Sequence, residues 1–191
     1  MKAPWIGLGL VLVVGCSVGA AAQQAVTPAP VPPRLRLRST FNEATPIPKP
    51  FTCLADGGNG VSPPFEWLNV PKGTASFVIM LTNMDNHPAK GLDDETFWVI
   101  WNVPGSATRL AQGVTAGGER PDGSRQATLG RTVGYRPPCP PPGTGPLHYV
   151  FTLYALDQML NVPAGAARAD VAKAMDGHIL GSNILLGLFE R

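Results

Sequence analysis

Few side chains in this sequence are placed to carry out covalent chemistry. Ser62 is followed by two prolines in VSPP, and no histidine lies near it to act as a base. Asp93, Asp94 and Glu95 are adjacent in a polar loop, which is typical of a solvated face and gives no geometry for paired-carboxylate catalysis or a metal. We therefore expect a non-catalytic protein that uses no metal and no cofactor.

The N-terminal residues 1–22 are typical of an export signal. Lys2 supplies the positive charge, and the apolar stretch 6–14 is too short to span a bilayer. The alanines at 20–22 fit a signal peptidase site, whereas VVGC fits a lipobox in which Cys16 would be lipidated. Both alternatives predict an exported protein, periplasmic or secreted, and the second predicts a lipoprotein held on a membrane by its anchor alone.

Export restricts the chemistry of the two remaining cysteines. Residues 23–33, QQAVTPAPVPP, are predicted to form an extended Pro/Ala tether, so the domain is expected over residues 34–191. That domain contains Cys53 and Cys139. In an oxidising compartment two thiols in one domain most simply form a disulfide, and two buried free thiols are the alternative.

The composition predicts a folded domain rich in turns. Hydrophobic residues make up 44% of the 191-residue chain, which is enough for a core, and charged residues make up 15%. The 22 glycines and 21 prolines favour many turns and short strands over long helices. The net charge is +2 and no block of basic residues is present, so we expect no nucleic-acid partner.

The hydrophobic pattern places the elements that must position any site. The alternation RLRLR at 34–38 predicts a half-buried strand, and RADVAKAM at 168–175 has helical character. The stretch 106–131 is poor in apolar residues and is predicted to be a long surface excursion. Four further runs predict strands, three of them nearly continuous in apolar residues: 65–68, 76–82, 96–103 and 149–156.

Four segments of the chain contain motifs in a specific order. The first two are DGGNGVSPPFEWLNVPKGTASFVIMLTN and FWVIWNVP. The others are GYRPPCPPPGTGPLHYVFTLYALD and AMDGHILGSNILLGLFER. Taken in this order, they resemble the phosphatidylethanolamine-binding protein family in its bacterial Raf-kinase-inhibitor-like branch. The resemblance covers residues 34–191 and implies a mostly β fold, an antiparallel β-sandwich with one or two short C-terminal helices.

The resemblance also implies a shallow pocket that binds a small anionic ligand such as a phosphoethanolamine head group. Its Pro-rich wall corresponds to Cys139, Pro140 and Pro141, and prolines pre-organise such a loop because they fix φ. Tyr135 and Tyr149 match family tyrosines near the pocket, although each could equally be a buried tyrosine with a structural hydrogen bond.

The histidines and acids of the family pocket are altered in this chain. The family's Asp-Pro-Asp-x-Pro loop reads NMDNHP here, with Asn83 and Met84 at the first two positions. Phe97 and Leu147 stand where the family has its two pocket histidines, and neither donates a hydrogen bond, so we expect weaker phosphate binding. The remaining candidate ligand-binding residues near these positions are Asp85, His87, Pro88 and His148.

These candidates have plainer alternatives. Asp85 could form a turn instead of, or together with, a pocket role, and His87 could be a solvent-exposed loop histidine. His148 lies one residue from the family position, and a one-residue step along a strand faces the opposite side.

Three functions remain open at this point. The first is an exported, non-catalytic protein that binds a small anionic or polar ligand in a shallow pocket. The second is a protease inhibitor or a regulator of an envelope protein partner, with 106–131 as its contact surface. The third is a scaffold whose degenerate pocket binds nothing.

Overall fold

The computed structural model describes residues 33–191. The predicted export signal, the lipidation at Cys16 and the tether up to residue 32 lie outside the described residues. The secondary structure consists of one α-helix, two short 3-10 helices and eleven strands within that range. The strands are β1 (Arg36–Arg38), β2 (Thr45–Pro46), β3 (Phe65–Leu68), β4 (Ser76–Asn83), β5 (Glu95–Pro104), β6 (Arg109–Leu110), β7 (Arg125–Gln126), β8 (Thr128–Leu129), β9 (Thr132–Val133), β10 (Leu147–Leu156) and β11 (Ile179–Phe189). The helices are Lys49–Phe51, Leu54–Asp56 and α1 (Arg168–Met175).

A six-stranded sheet forms the centre of the fold, in the order β2-β11-β10-β4-β5-β7. Its pairs are antiparallel except for the short parallel contact between β11 and β2. A smaller sheet of order β1-β3-β6 lies against one face, and β8 and β9 form a separate hairpin. The expectation of a mostly β sandwich is therefore confirmed, and one helix lies near its C terminus.

The central strands are buried on both faces, which explains their continuous apolar sequences. Alternate residues of β4 enter two different clusters: Phe77 lies in the cluster between the sheets and Val78 in the cluster on the opposite face. Between the sheets, Phe65 packs on Phe151 with ring centroids 5.1 Å apart. On the opposite face, α1 contributes Val171 and Met175. Both clusters stabilise the large sheet by removing apolar surface from water.

The predicted elements are found close to their expected positions. The alternation at 34–38 is reproduced in the burial of that segment: Leu35 and Leu37 are buried and the arginines are exposed. The helix occupies the predicted residues, and the apolar tail that follows it forms β11. Among residues 33–191, no helix is long and apolar enough to cross a membrane.

The prediction of a surface excursion over 106–131 is wrong for its last part. Gln126 and Ala127 are fully buried there, and β7 pairs with β5 at the edge of the large sheet. The Gln126 side chain accepts a hydrogen bond from the Trp98 indole at 2.8 Å and donates to the carbonyl of Thr115 at 2.9 Å. A polar residue that is fully hydrogen-bonded can be buried without penalty, and hydrophobicity alone does not reveal it.

Candidate functional site

Three strands bring polar side chains to one end of the large sheet. Asn83, the last residue of β4, pairs with Tyr149 of β10 on one side and with Glu95 of β5 on the other. A cavity of about 440 Å³ opens at this end. Its lining comes from the strand ends and the loop after β4, and from the Pro-rich loop that precedes β10: Asn83, Asp85, Asn86, Glu95, Phe97, Leu147 and Tyr149 from the first group, and Arg136, Pro137, Cys139, Pro140, Pro141 and Thr144 from the second.

The Pro-rich wall is fixed by a covalent bond and by backbone contacts. Cys53 and Cys139 form a disulfide, with their Cα atoms 5.3 Å apart. The Cys53 N–H also donates to the Pro138 carbonyl at 3.1 Å. Arg191, the last residue of the chain, donates from Nη1 to the Pro140 carbonyl at 3.4 Å. The sequence left disulfide and free thiols open, and the structure contains the disulfide.

The strand-end wall is a network of polar side chains around Arg136, which precedes the prolines in the chain but whose guanidinium lies against the start of β5. Its Nη2 donates to Oε1 of Glu95 at 2.6 Å and to the carbonyl of Thr96 at 2.9 Å. The second carboxylate oxygen of Glu95 accepts from Nδ2 of Asn86, also at 2.6 Å. These contacts hold one edge of the guanidinium in place. The other terminal nitrogen, Nη1, has no hydrogen-bond partner among residues 33–191.

The guanidinium of Arg136 packs on the face of the Phe97 ring. The Arg136 Cζ lies 3.9 Å from the centre of the Phe97 ring, a cation–π geometry. Phe97 in turn meets Tyr149 edge to face, with ring centroids 5.3 Å apart. The position where the family has a histidine therefore carries an aromatic ring with an arginine on its face, which returns a cationic donor to the cavity.

Asp85 organises the loop after β4. Its N–H donates to Oδ1 of Asn83 at 2.9 Å. Its carboxylate accepts from the backbone N–H of His148 at 2.5 Å and lies 3.1 Å from Nδ1 of the same histidine. Asp85 therefore shapes a turn and also lines the cavity, and its part in ligand binding stays a prediction.

Tyr149 presents a neutral hydroxyl under ordinary conditions. Burial, together with the nearby carboxylates of Glu95 and Asp85, raises its pKa to about 12, and the Arg136 guanidinium opposes this rise. Its hydroxyl makes no hydrogen bond to another described residue, although its ring is almost fully buried. It is therefore a donor available to a ligand.

The structure places five of the predicted ligand-binding residues in the cavity lining and four outside it. Those in the lining are Asp85, Cys139, Pro140, Pro141 and Tyr149. Those outside it are His87, Pro88, Tyr135 and His148.

Contacts explain the positions of three of the four residues outside the lining. His87 faces its own loop, with Nδ1 3.7 Å from the Asp94 carboxylate. His148 turns to the opposite side of its strand, as the register argument requires, and contacts Asp85 there. Tyr135 is buried and donates to the Phe51 carbonyl at 2.7 Å, and this burial raises the pKa of its hydroxyl.

Sequence reasoning missed Arg136, Asn86 and the role of Glu95. Glu95 was placed in a solvated acidic face, whereas it begins β5 and its side chain is 21% exposed beside Arg136. Arg136 does carry a signal, because it lies between Tyr135 and the prolines of the family block. The pairing of the two residues could not be read from a separation of 41 positions.

Comparison with known proteins agrees with this architecture. The family model for phosphatidylethanolamine-binding protein matches residues 38–190. A relative from Methanothermobacter thermautotrophicus, named a UPF0098 protein, is 43% identical over 152 residues, covering 79% of this chain and 95% of the relative. A protein of Mycobacterium tuberculosis named "Putative lipoprotein LppC" is 35% identical over 207 residues, covering 99% of this chain and 96% of the relative.

A solved structure shows the same fold. The crystal structure of a phosphatidylethanolamine-binding protein homolog, CT736 from Chlamydia trachomatis, superimposes with a TM-score of 0.71 at 30% sequence identity. The match covers 83% of this chain and 98% of the other. The matched family model, the sequence relatives and the shared fold lead to one conclusion: this chain belongs to the phosphatidylethanolamine-binding protein family.

Proposed function

We propose that this protein is an exported, non-catalytic binding protein whose cavity takes a small ligand with a compact anionic group. The observation that carries the proposal is the position of Arg136, which lines the cavity with one guanidinium edge fixed by Glu95 and Nη1 without a protein partner among residues 33–191. A pre-positioned guanidinium binds phosphate or carboxylate oxygens well because little side-chain entropy is lost on binding.

The charges around Arg136 favour a zwitterionic ligand over a simple anion. Asp85 and Glu95 place two carboxylates in a lining that holds one guanidinium. A ligand that adds an ammonium group beside its phosphate, such as phosphoethanolamine, would meet both signs of charge. Inorganic phosphate would meet repulsion from the carboxylates that the guanidinium only partly offsets.

The side chains in the cavity lining support a binding role more than a catalytic one. The lining contains no histidine, and its cysteine is bonded to Cys53. Its threonine, Thr144, donates its hydroxyl to the Pro141 carbonyl at 3.0 Å. None of these described groups pairs a nucleophile with a base. For localisation, the similarity to a protein named as a lipoprotein supports export and a membrane anchor.

The test is a calorimetric titration of the chain from Gln23 to Arg191 with phosphoethanolamine and with inorganic phosphate. We expect saturable binding of both, with the tighter Kd for phosphoethanolamine. The variant Arg136→Gln removes the charge and should weaken phosphoethanolamine binding by about tenfold or more, because a hydrogen bond to a charged group contributes about 1.5–3 kcal/mol.

The control is Arg131→Gln, which removes an exposed arginine in a loop outside the cavity lining. It should leave both Kd values unchanged. An Arg136→Gln variant that binds as tightly as the parent would contradict the proposal. An absence of heat up to millimolar ligand with the parent protein would also contradict it, and would favour the alternative of a protease inhibitor or a regulator of an envelope partner.

A further inference from the structure

The exposed face of the small sheet is positively charged, although its arginines come from separate parts of the sequence. Arg36 and Arg38 point outward from β1, while Leu37 between them is buried. Arg34 precedes them in the same alternation and is also exposed. Arg109 on β6 lies on the same face, because Glu66 of β3 is its register partner and both are exposed.

This charge is not neutralised within the described part of the chain. The arginines at 34, 36, 38 and 109 form no ion pair with a carboxylate of residues 33–191. Glu66, which pairs in register with Arg38, is the single acid in the three strands. The three strands therefore contain three arginines and one glutamate, and Arg34 lies just before them. A second glutamate, Glu43, lies beside the sheet. This face is basic although the whole chain has a net charge of only +2.

Open space flanks these arginines. A cavity of about 580 Å³ is lined by Arg36 and Arg38 together with Asn42, Asn183 and Glu43. A second cavity, of about 200 Å³, is lined by Arg38, Ser39 and Glu66 among others. Both cavities are separate from the one that contains Arg136. A phosphodiester group could approach the guanidinium groups from either cavity without displacing a protein carboxylate.

The same face also has an apolar component. Leu68 lies directly opposite Arg36 in the register of β1 and β3, and it is 45% exposed. Basic side chains mixed with exposed aliphatic residues suit the boundary between lipid head groups and acyl chains.

We propose that this face, defined by Arg34, Arg36, Arg38, Arg109 and Leu68, is a docking surface for an anionic membrane. Arginines near an anionic lipid surface each contribute attraction that acts within a Debye length. The face begins at Arg34, the first residue after the predicted tether. The surface would orient the domain, and with it the cavity, on the membrane. It would do so both in a lipidated protein and in one that has been cleaved and has no lipid anchor.

The experiment is co-sedimentation with vesicles, using the chain from Gln23 to Arg191 so that no lipid anchor contributes. Residues 33–191 form one compact unit that contains both hydrophobic clusters, so this chain keeps the whole fold. We expect binding to an equal mixture of phosphatidylcholine and phosphatidylglycerol and none to phosphatidylcholine alone. Raising NaCl from about 0.05 M to about 0.5 M should abolish it, because the Debye length shortens.

The variant Arg34→Gln, Arg36→Gln, Arg38→Gln should weaken vesicle binding by about 100-fold, from about 5-fold for each arginine. The matched control replaces three exposed basic residues elsewhere: Lys90→Gln, Arg131→Gln, Lys173→Gln. It should bind nearly as the parent does, which separates position from net charge. Unchanged near-ultraviolet circular dichroism will show that both triple variants are folded.

Three results would overturn the proposal: failure of the parent to bind the anionic vesicles, equal binding to both kinds of vesicle, or equal losses in the two triple variants. Neither the failure of the parent to bind nor equal losses in the two triple variants depends on whether the cavity binds a ligand. The variant Arg136→Gln should bind vesicles normally, and the triple variant at 34, 36 and 38 should keep its phosphoethanolamine affinity. The two proposals can therefore fail independently.

Discussion

One wall of the cavity is the Pro-rich loop from Pro137 to Pro141, and the other is the set of polar side chains where β4, β5 and β10 end. The loop is held by the Cys53–Cys139 disulfide and by prolines, which restrict the backbone before any ligand arrives. The strand-end wall is held by hydrogen bonds between side chains, with Arg136 donating to Glu95 at 2.6 Å.

The two walls control different properties of the cavity: the Pro-rich loop sets its shape, and the strand-end wall sets its charge. A wall of prolines supplies few donors, so it defines the outline of the cavity and excludes groups that do not fit. The strand-end wall supplies the guanidinium, the carboxylates and the Tyr149 hydroxyl, so under the proposed function it would select the charge of the ligand. Changes in the first wall should therefore appear mainly in stability, and changes in the second mainly in affinity. The following substitutions test that division.

The largest stability effect is expected from the disulfide. The double variant Cys53→Ser, Cys139→Ser opens a link between residues separated by 86 positions. We expect the free energy of unfolding to fall by about 3–5 kcal/mol, because the unfolded chain gains the conformations that the link had excluded. Urea unfolding of the variant measures the loss, and the parent protein in reducing agent serves as the control. An unchanged free energy of unfolding would show that other contacts hold the loop.

The two tyrosines of the family block should separate stability from binding. Tyr135→Phe leaves the buried Phe51 carbonyl without its donor, which should cost about 1–3 kcal/mol of unfolding free energy. Tyr149→Phe removes a hydroxyl with no described protein partner, so stability should change by less than about 0.5 kcal/mol while phosphoethanolamine binding weakens. Urea unfolding and calorimetry on both variants provide the measurements. The reverse pattern would contradict the roles given to the two hydroxyls, a structural one for Tyr135 outside the cavity and a ligand-facing one for Tyr149 in the strand-end wall.

The smallest effect is expected from Asp85→Asn. The change removes one negative charge from the cavity lining and keeps an oxygen that can accept from the His148 N–H. Inorganic phosphate should bind about 2–5-fold more tightly, because repulsion across a partly solvated cavity is small. The preference for phosphoethanolamine should shrink at the same time.

Calorimetry measures both effects of that change. Asp176→Asn, at an exposed position after α1, is the control and should alter neither Kd. Weaker phosphate binding in Asp85→Asn would mean that the order of the loop outweighs its charge.

Hydrophobic patterning predicted the main strands and the helix, whereas the β-sandwich was predicted from the family resemblance. The buried runs at 76–82 and 96–103 and the alternation at 34–38 fix which faces are covered, and these patterns depend only on neighbouring residues. The family segments added the order of the chain. Gln126 escaped prediction because its burial depends on partners in other segments, among them Trp98 and the carbonyl of Thr115.

The site was predictable only where it followed the family motifs. The prolines of the wall could be placed by resemblance, and so could Asp85 and Tyr149. The sequence did not predict that Phe97 and Arg136 together stand where the family has a histidine. The Arg136 Cζ lies 3.9 Å from the centre of the Phe97 ring, but the two residues belong to different segments of the chain. Likewise, the basic face became visible only when the register placed Arg109 across Glu66 from Arg38.

The most direct test of anion binding by Arg136 is to measure the NMR signal of its guanidinium. Nitrogen-resolved NMR of arginine side chains during a phosphoethanolamine titration would report on it, with the resonance assigned by its loss in Arg136→Gln. We predict that this resonance shifts to a plateau as phosphoethanolamine is added and that the shift fits the Kd found by calorimetry. The Arg131 resonance should stay unchanged. Saturating heat without any shift of the Arg136 resonance would contradict the claim that Arg136 holds the anion.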